Sequence, residues 1–477
     1  MYKLLLILKY LRRKLAPMFA ALAVTICTFM VIVVISVMGG FLDLLRSSVQ
    51  QLSGDVIVTA DSLTGFPDYE DLIEQLEATG EVAAATPTLE SYGLLKLGRI
   101  NKPVQLMGIR PESYAEVVQY RDSLHWSDQE KRYLSEGSEV EVDLREAAME
   151  LDPPSYWPEG DRPGMVLGIE VNPYHYRDEQ GEYHFANAAV RTEAVITVVP
   201  LTEQGAFYED RPNTRGLVVV NEFKSGHYEV DAHRAFVPLG LLQEMLDMAA
   251  GEPQWDFDPE TGERVGEPTA DPARVTQVLV RGEAGVPLAK LKEVVEDVRT
   301  DFLLARGEMP PLAVRTWEEQ NATLLSAVQN EKGLVTFLFA IISVVAIVMV
   351  ATTFYMIVLE KTRDIGILRA VGASRGGIMN VFLGYGLAVG IVGTLIGAVL
   401  AWLTVTNLNE IQAWIYAWSG WRMWDPQIYA FDRIPDQVDP VEAGAIVVGG
   451  IVSSVIGALV PALLAARQNP VEALRYE

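Results

Sequence analysis

No disulfide can close within this chain, because Cys27 is its only cysteine among 477 residues. Cys27 stands in an apolar run, and the preceding Val24-Thr25-Ile26 lacks the small residues of a lipoprotein signal. A buried structural thiol is therefore expected, and the redox compartment stays open. No G-x-x-x-x-G-K-[ST] stretch is present, which excludes a phosphate-cradling P-loop within this sequence. Neither is there a G-x-S-x-G elbow to raise a nucleophilic serine. The five histidines, His125, His175, His184, His227 and His233, never fall at metal-ligand spacing. His175 and His184 with Glu179 could be drawn together as ligands, but a solvated surface accounts for them better. These absences predict a chain that is not an enzyme and that holds no metal and no cofactor of its own.

Basic residues are scarce as well. Lys and Arg number 38 against 63 Asp and Glu, a net charge of -25. The imbalance is regional: residues 1–42 carry five basic residues and no acid, residues 333–477 have a net of -2, and residues 43–332 have -28. An acidic, water-facing body is thus joined to a nearly neutral remainder. That balance argues against nucleic acid as a partner, since phosphate binding needs a basic footprint.

Charge is missing altogether from four long runs: Leu15–Leu42, Gly333–Leu359, Gly376–Asn409 and Ala443–Ala466. About 20 apolar residues cross the hydrocarbon core as a helix, so each run reads as a transmembrane span. A cleaved signal peptide is the competing reading of the first, but its apolar region is too long and no A-x-A site follows. Lys and Arg collect on the cytoplasmic side. The N-terminus has Lys3, Lys9, Arg12, Arg13 and Lys14, and the loop after the second span has Lys361, Arg363, Arg369 and Arg375. The loop after the third span has Arg422 and Arg433 against six acids from Glu410 to Glu442. One orientation satisfies all three, with both termini and loop 360–375 inside and 43–332 and 404–442 outside.

The expected fold class is an α-helical membrane bundle of four transmembrane helices plus a large extracytoplasmic α+β domain between helices 1 and 2. The boundaries read as an N-terminus over 1–16, spans at 17–42, 333–359, 377–403 and 443–466, and the external domain at 43–332. A connecting helix fills 360–376, an external loop 404–442 and a C-terminus 467–477. No span carries a charge, so an ion or proton path through the bundle is not expected. Instead the third and fourth spans carry small residues at helix-packing spacing: Gly386/Gly390, Gly393/Gly397 and Gly449/Ser453/Gly457. Such residues let backbones approach closely, within one chain or between two.

In the external domain, 55–60 alternates like a strand and 68–80 reads as an amphipathic helix stopped by glycine, followed by strands at 92–98 and 103–109. A related order returns at 275–282, 287–304 and 312–317, so the two pieces could form one split α/β unit around a β-rich insert. Residues 120–163 and 251–272 read as acidic surface excursions. Five of the nine tryptophans lie in 402–424, where Ile411, Trp414, Ile415 and Trp418 make one apolar face suited to the membrane interface.

The connecting stretch is "EKTRDIGILRAVGAS", residues 360–374. At 100° per residue, Ile365, Ile367, Leu368 and Val371 share one arc, and Gly372 ends the helix before Ser374 begins the next. A positive-inside anchor would need only its cations, whereas an ordered apolar face suits the docking of a cytoplasmic partner.

This stretch resembles the cytoplasmic loop of ABC-transporter permeases of the FtsX/MacB superfamily, and "NPVEALRYE" (469–477) resembles their C-terminal motif. The stretches "VVISVMGGFLDLLRSSVQQLSGDVIV" (33–58), "YGLAVGIVGTLIGAVLA" (385–401) and "YAFDRIPDQVDPVEA" (429–443) narrow the likeness to lipoprotein-releasing permeases of the LolC/LolE type. The acidic stretches 120–163 and 251–272 have no counterpart in that pattern. The resemblance implies a dimeric inner-membrane permease, homo- or heteromeric, with a Porter-like periplasmic unit. It implies a separate cytoplasmic ATPase subunit that binds ATP and magnesium and drives the periplasmic domains by mechanotransmission. Its cargo would be lipoproteins lifted from the membrane, with a periplasmic carrier as a further partner. Glu360, Lys361, Arg363, Asp364, Ile367, Leu368, Arg369, Gly372 and Ala373 would form the ATPase-docking coupling helix. Two alternatives share the architecture: a MacB-like efflux permease, and an FtsX-like regulator of cell-wall hydrolases.

Overall fold

The computed structural model describes residues 15–126, 130–135, 138–142, 144–152, 162–177, 183–184, 189–190, 192–201, 212–226, 228–252, 254–257, 264–307, 309–421, 434 and 437–468. The basic N-terminus, the motif 469–477, Arg422, Arg433 and most of 429–436 lie outside them. The chain divides into two compact units, Leu45–Ala322 and Met1–Leu44 with Thr323–Glu477. Helix α1 (Leu15–Gln51) runs on beyond its apolar window Met18–Leu44, because nothing in the polar sequence that follows breaks a helix before Gly54.

The unit Leu45–Ala322 opens with β1 (Val56–Ala60), α2 (Tyr69–Glu77), β2 (Val82–Leu97) and β3 (Ile100–Ile109). Three short helices, α3 (Pro111–Val117), α4 (Tyr120–Ser123) and α5 (Leu144–Met149), flank the hairpin β4 (Glu130–Ser135)–β5 (Ser138–Val142). Then come β6 (Gly164–Gly168), the small hairpin β7 (Tyr176–Arg177)–β8 (Tyr183–His184), β9 (Glu193–Val198), β10 (Asn213–Phe223), α6 (Tyr228–His233), β11 (Arg234–Pro238) and α7 (Leu239–Met245). After the hairpin β12 (Gln254–Phe257)–β13 (Arg264–Thr269), the unit closes with β14 (Gln277–Gly282), α8 (Leu288–Arg306), β15 (Leu312–Thr316) and α9 (Trp317–Gln320).

The main sheet has nine strands in the order β15-β1-β14-β2-β3-β11-β6-β10-β9, with β9 also pairing back to β2. The first four strands are the two expected pieces interleaved: β1 lies antiparallel between β14 and β15, and β14 lies against β2. Leu72 and Leu76 of α2 and Leu291, Val295 and Phe302 of α8 cover this sheet with buried side chains. The split α/β unit and its β-rich insert are therefore both present. The insert is a closed ring of six strands, because Leu94–Leu97 of β2 pair with Ala194–Thr197 of β9. Closure leaves no free edge there.

Strand β2 is much longer than the 92–98 that alternation suggests. Its first half, with three consecutive alanines and Pro87, has weak strand propensity, but Val82–Thr88 is held by the apolar β14. The stretch 120–163 is also not a mere surface excursion. Tyr120, Leu124, Ala148 and Leu151 are buried with Tyr114, Phe223 and Phe236 in a second core. The four rings stand 4.7–5.6 Å apart, edge-on or tilted. Each such pair adds roughly 0.5–1.5 kcal/mol beyond area burial. The Tyr114 and Tyr120 hydroxyls donate to the carbonyls of Leu52 (3.2 Å) and Ala148 (3.1 Å). Burial pushes the Tyr114 phenol up to about 12 and Tyr120 higher still.

The other unit holds α10 (Ala322–Glu360), α11 (Thr362–Ala370), α12 (Arg375–Thr406), α13 (Leu408–Ser419) and α14 (Pro440–Arg467). Among the described residues, four helices are long and apolar enough to cross a membrane: α1, α10, α12 and α14, with mean hydropathy 2.8, 3.0, 2.2 and 2.3. Helix α10 begins well before the uncharged run at Gly333, so Lys332 sits inside it. Lys332 Nζ donates to Glu442 Oε1 of α14 at 2.8 Å. Helix α14 starts with Asp439 as N-cap, its Oδ1 accepting from Val441 N at 2.7 Å, and with Pro440 at the first position, where no amide is needed.

Candidate functional site: the helix between the second and third spans

Helix α11 is short because both ends are fixed by local chemistry. Lys361, whose backbone (φ -103°, ψ 9°) departs from helical values, separates it from α10 and pairs with Asp364, Nζ to Oδ2 2.6 Å. At the other end Gly372 takes φ +102° and its N–H donates to Arg369 O, while Ala373 N–H donates to Leu368 O at 2.9 Å. That pair of bonds is a Schellman closure, which a side chain at 372 would strain. Ser374 then caps α12, its Oγ accepting from Gly377 N at 3.1 Å.

The apolar arc expected on α11 is divided between two environments. Ile365 is 4% exposed and packs into the bundle core with Phe354, Val358 and Ile378. Ile367 and Leu368 are about half exposed, and Val371 is 84% exposed. Arg363 and Asp364 are exposed beside them, and Ala373 packs on the core. Arg369, also expected in the docking element, is half-buried and bonded within the bundle. Its Nη1 donates to the carbonyls of Ala466 (3.0 Å) and Gln468 (2.8 Å) at the end of α14. The last carbonyls of a helix lack intrahelical donors and attract a cation. Glu360 is exposed at the end of α10.

The small residues sort by partner. An added Cβ at Gly386 would stand 2.5 Å from Ala458 Cβ, and one at Gly390 3.0 Å from Ser454 Cβ, both on α14. Gly393 and Gly397 instead face α1, where the nearest atoms are Ala21 O at 3.0 Å and Thr25 O at 2.7 Å. Gly457 faces Ile347 O of α10 at 2.9 Å. Ser454 Oγ donates to Gly386 O (3.0 Å) and Thr25 Oγ1 to Gly393 O (3.1 Å), each crossing between helices. Gly449 and Ser453 are the exceptions. An added Cβ at Gly449 would meet nothing within 4 Å, and Ser453 is only half-buried. Their places are taken one residue on, by Gly450 against Thr394 (2.6 Å) and by Ser454. One residue is 100° of rotation, and α14 carries small residues on both sides of that step.

On α13 no residue is buried; Trp414 and Trp418 are 69% and 82% exposed and stack with centroids 6.4 Å apart, with Ile411 and Ile415 half-buried.

One polar cluster in the strand-rich unit escaped the sequence reading. His175 is not on a solvated surface: its side chain is 1% exposed, with Nε2 2.9 Å from Glu222 Oε2. Trp126 Nε1 donates to the same carboxylate at 2.8 Å and Asn172 Nδ2 at 2.6 Å. Glu179 lies outside the described residues, and His184 is exposed. The one signal in the sequence was Asn221-Glu222 interrupting the apolar strand "GLVVVNEF". Among the described residues no group of three His, Cys, Asp or Glu could hold a metal ion.

Comparison with known proteins gives two family matches: residues 336–470 match the FtsX-like permease C-terminal family, and 18–162 the MacB-like periplasmic core domain. Among curated relatives, the lipoprotein-releasing system transmembrane protein LolC of Xylella fastidiosa (strain Temecula1) is 26% identical, covering 98% of each chain. The LolC of Neisseria meningitidis serogroup B is 25% identical over 94% of this chain and 90% of that protein. Among solved structures, the periplasmic region of MacB from Actinobacillus actinomycetemcomitans covers 59% of this chain and 97% of its own at 9% identity, with a TM-score of 0.29.

Proposed function

We propose, from the premise that the chain belongs to the FtsX/MacB superfamily of ABC-transporter permeases, that it releases lipoproteins from the inner membrane using a separate ATPase. The observation that carries the reading is the half-exposed apolar pair Ile367 and Leu368 with Val371, presented on a helix fixed at both ends. A partner could bury these side chains at about 25 cal/mol per Å² of apolar surface. A rigid helix would pass on the partner's movement rather than absorb it.

In this reading both termini and α11 are cytoplasmic and Leu45–Ala322 is periplasmic. ATP and magnesium bind the partner, which docks on Ile367, Leu368 and Val371 with Glu360, Lys361, Arg363 and Asp364 at the rim; Gly372 and Ala373 set the angle of the helix. A second permease subunit completes the transporter, and extracted lipoprotein passes to a periplasmic carrier. The stacked Trp414 and Trp418 of α13 rest in the outer interface, where an aromatic ring has an apolar body to bury.

The test is extraction in mild detergent with and without Leu368→Asp. The parent should carry an ATPase subunit and the variant should lose it; equal recovery in both refutes the docking surface. Depletion of the protein should then strand lipoproteins in the inner membrane. Normal lipoprotein sorting with altered drug or toxin export would move the cargo to the efflux alternative.

A further inference from the structure

Helix α11 is bonded to α14 as well as to its neighbours in sequence. Arg369 holds the carbonyls of Ala466 and Gln468, and Gln468 Nε2 donates to Thr362 Oγ1 at 3.2 Å. Both the first and the penultimate residue of α11 therefore touch the end of α14. Both bonds to α14 carbonyls leave one nitrogen, Nη1, so a single cationic group serves two acceptors there.

The opposite end of α14 is held too. Glu442, in its first turn, accepts from Lys332 of α10, and an added Cβ at Gly39 of α1 would lie 3.7 Å from each of these two side chains. Between the ends α14 is knit to α12 through Ala458 on Gly386, Ser454 on Gly390 and Gly450 on Thr394, and to α10 through Gly457. Pro461 lies in this stretch, but it is buried, so packing fixes whatever bend it imposes. Close-packed contacts shift between discrete arrangements and do not stretch continuously. A helix gripped at both ends and packed between them moves as one body.

We propose that α14 is the strut that carries a displacement of α11 to the far side of the membrane. Arg369 is its inner positioning residue, and the Lys332–Glu442 pair its outer end. The proposal rests on the reading that an ATPase docks on α11. It gives the fourth span a part in the motion, because Thr362 and Arg369 of α11 are hydrogen-bonded to the end of α14.

The experiment uses the full-length complex with its co-purified ATPase in lipid nanodiscs. A spin label at Val441→Cys, an exposed position beside Glu442, is read in a Cys27→Ser background with and without ATP. The parent should show an ATP-dependent change in label mobility. Arg369→Gln should keep the ATPase bound but shrink the change about tenfold, roughly the worth of a single charge-assisted hydrogen bond. Arg369→Lys should retain most of it. At the outer end, Lys332→Glu and Glu442→Lys should each weaken the change, and the double exchange should restore it, which a merely misfolded variant would not do. An unchanged ATP response in Arg369→Gln overturns the strut, as does a double exchange no better than the single variants. Loss of the ATPase from Arg369→Gln overturns it as well, by making Arg369 a docking contact. Absence of any ATPase from the parent is a different failure and sinks the docking reading itself.

Discussion

Gly386→Ala adds one methyl group at the closest contact between the third and fourth spans. The new Cβ would stand 2.5 Å from Ala458 Cβ and 3.3 Å from Ser454 O, so the helices must separate. Separation also stretches the Ser454–Gly386 hydrogen bond, 3.0 Å in the native packing. Overpacking of this kind costs about 1–3 kcal/mol, and an interhelical hydrogen bond in a membrane about 0.6 kcal/mol. The expected loss is therefore about 2–3 kcal/mol, a factor of roughly 30–150 in the folded-to-unfolded ratio. Ala458→Gly in the same chain vacates the space that the new methyl needs. Gly386→Ala/Ala458→Gly should recover at least half of the loss, and a double-mutant cycle should give a coupling of about 1–2 kcal/mol. Unfolding of the full-length protein in bilayers or bicelles, followed for the parent, both single variants and the double, measures this. A Gly386→Ala protein as stable as the parent would refute the close approach. So would a double variant that loses the sum of the two single losses.

Two further outcomes follow from a buried carboxyl of the strand-rich unit and from the amphipathic helix. Burial raises the Asp231 carboxyl from 3.8 to about 6, even though Ser225 N, Ser225 Oγ and Gly226 N donate to it. Folded Asp231 thus holds its proton more tightly than the unfolded chain does. Its contribution to stability is greatest below about pH 4 and is lost as the pH rises through about 6, by on the order of 3 kcal/mol in full. Asp231→Asn should flatten the stability profile across that window, and an unaltered slope would exclude the group. Trp414 and Trp418 should be quenched by lipids brominated near the headgroup; in Trp414→Phe/Trp418→Phe the quenched fraction should fall, and equal quenching would place α13 out of the interface.

The architecture was legible wherever one physical signal decided it. Length and absence of charge mark α1, α10, α12 and α14, and the repeated strand-helix-strand order marks β1, α2 and β2 against β14, α8 and β15. Gly372 and Ser374 could be named as stop and start because left-handed backbone and an N-cap oxygen are local requirements. What escaped depended on partners far along the chain. Spacing alone could not choose Gly450 over Gly449, since only Thr394 on another helix distinguishes them. The arc of Ile365, Ile367, Leu368 and Val371 looked like one face because a wheel does not reveal that the bundle claims Ile365. Arg369 read as a surface cation because its acceptors lie nearly a hundred residues on, at the end of α14. His175 and Glu222, 47 positions apart, carry no shared local pattern. Long-range polar pairing is the part of this fold that composition and periodicity do not encode.

Strand β2 has a consequence for how the molecule comes into being. Its first half completes one sheet with β14 and its second half closes the ring with β9, so a single strand is common to both. Excising the insert between β2 and β14 would leave β2 without the neighbours of its second half, which makes that region a poor candidate for a removable cassette. The outermost pairing, Val56 with Thr316, joins the first strand of the unit to its last. Contacts of such long sequence separation form slowly, since a large loop must close before they gain anything. The sheet can be finished only when β15 has been synthesised, and the apolar helix α10 begins just after it, at Ala322. Completion of the sheet and insertion of the second span are thereby brought together in time during synthesis, and a pause or a truncation upstream of β15 leaves an unpaired edge on β1 open to other chains.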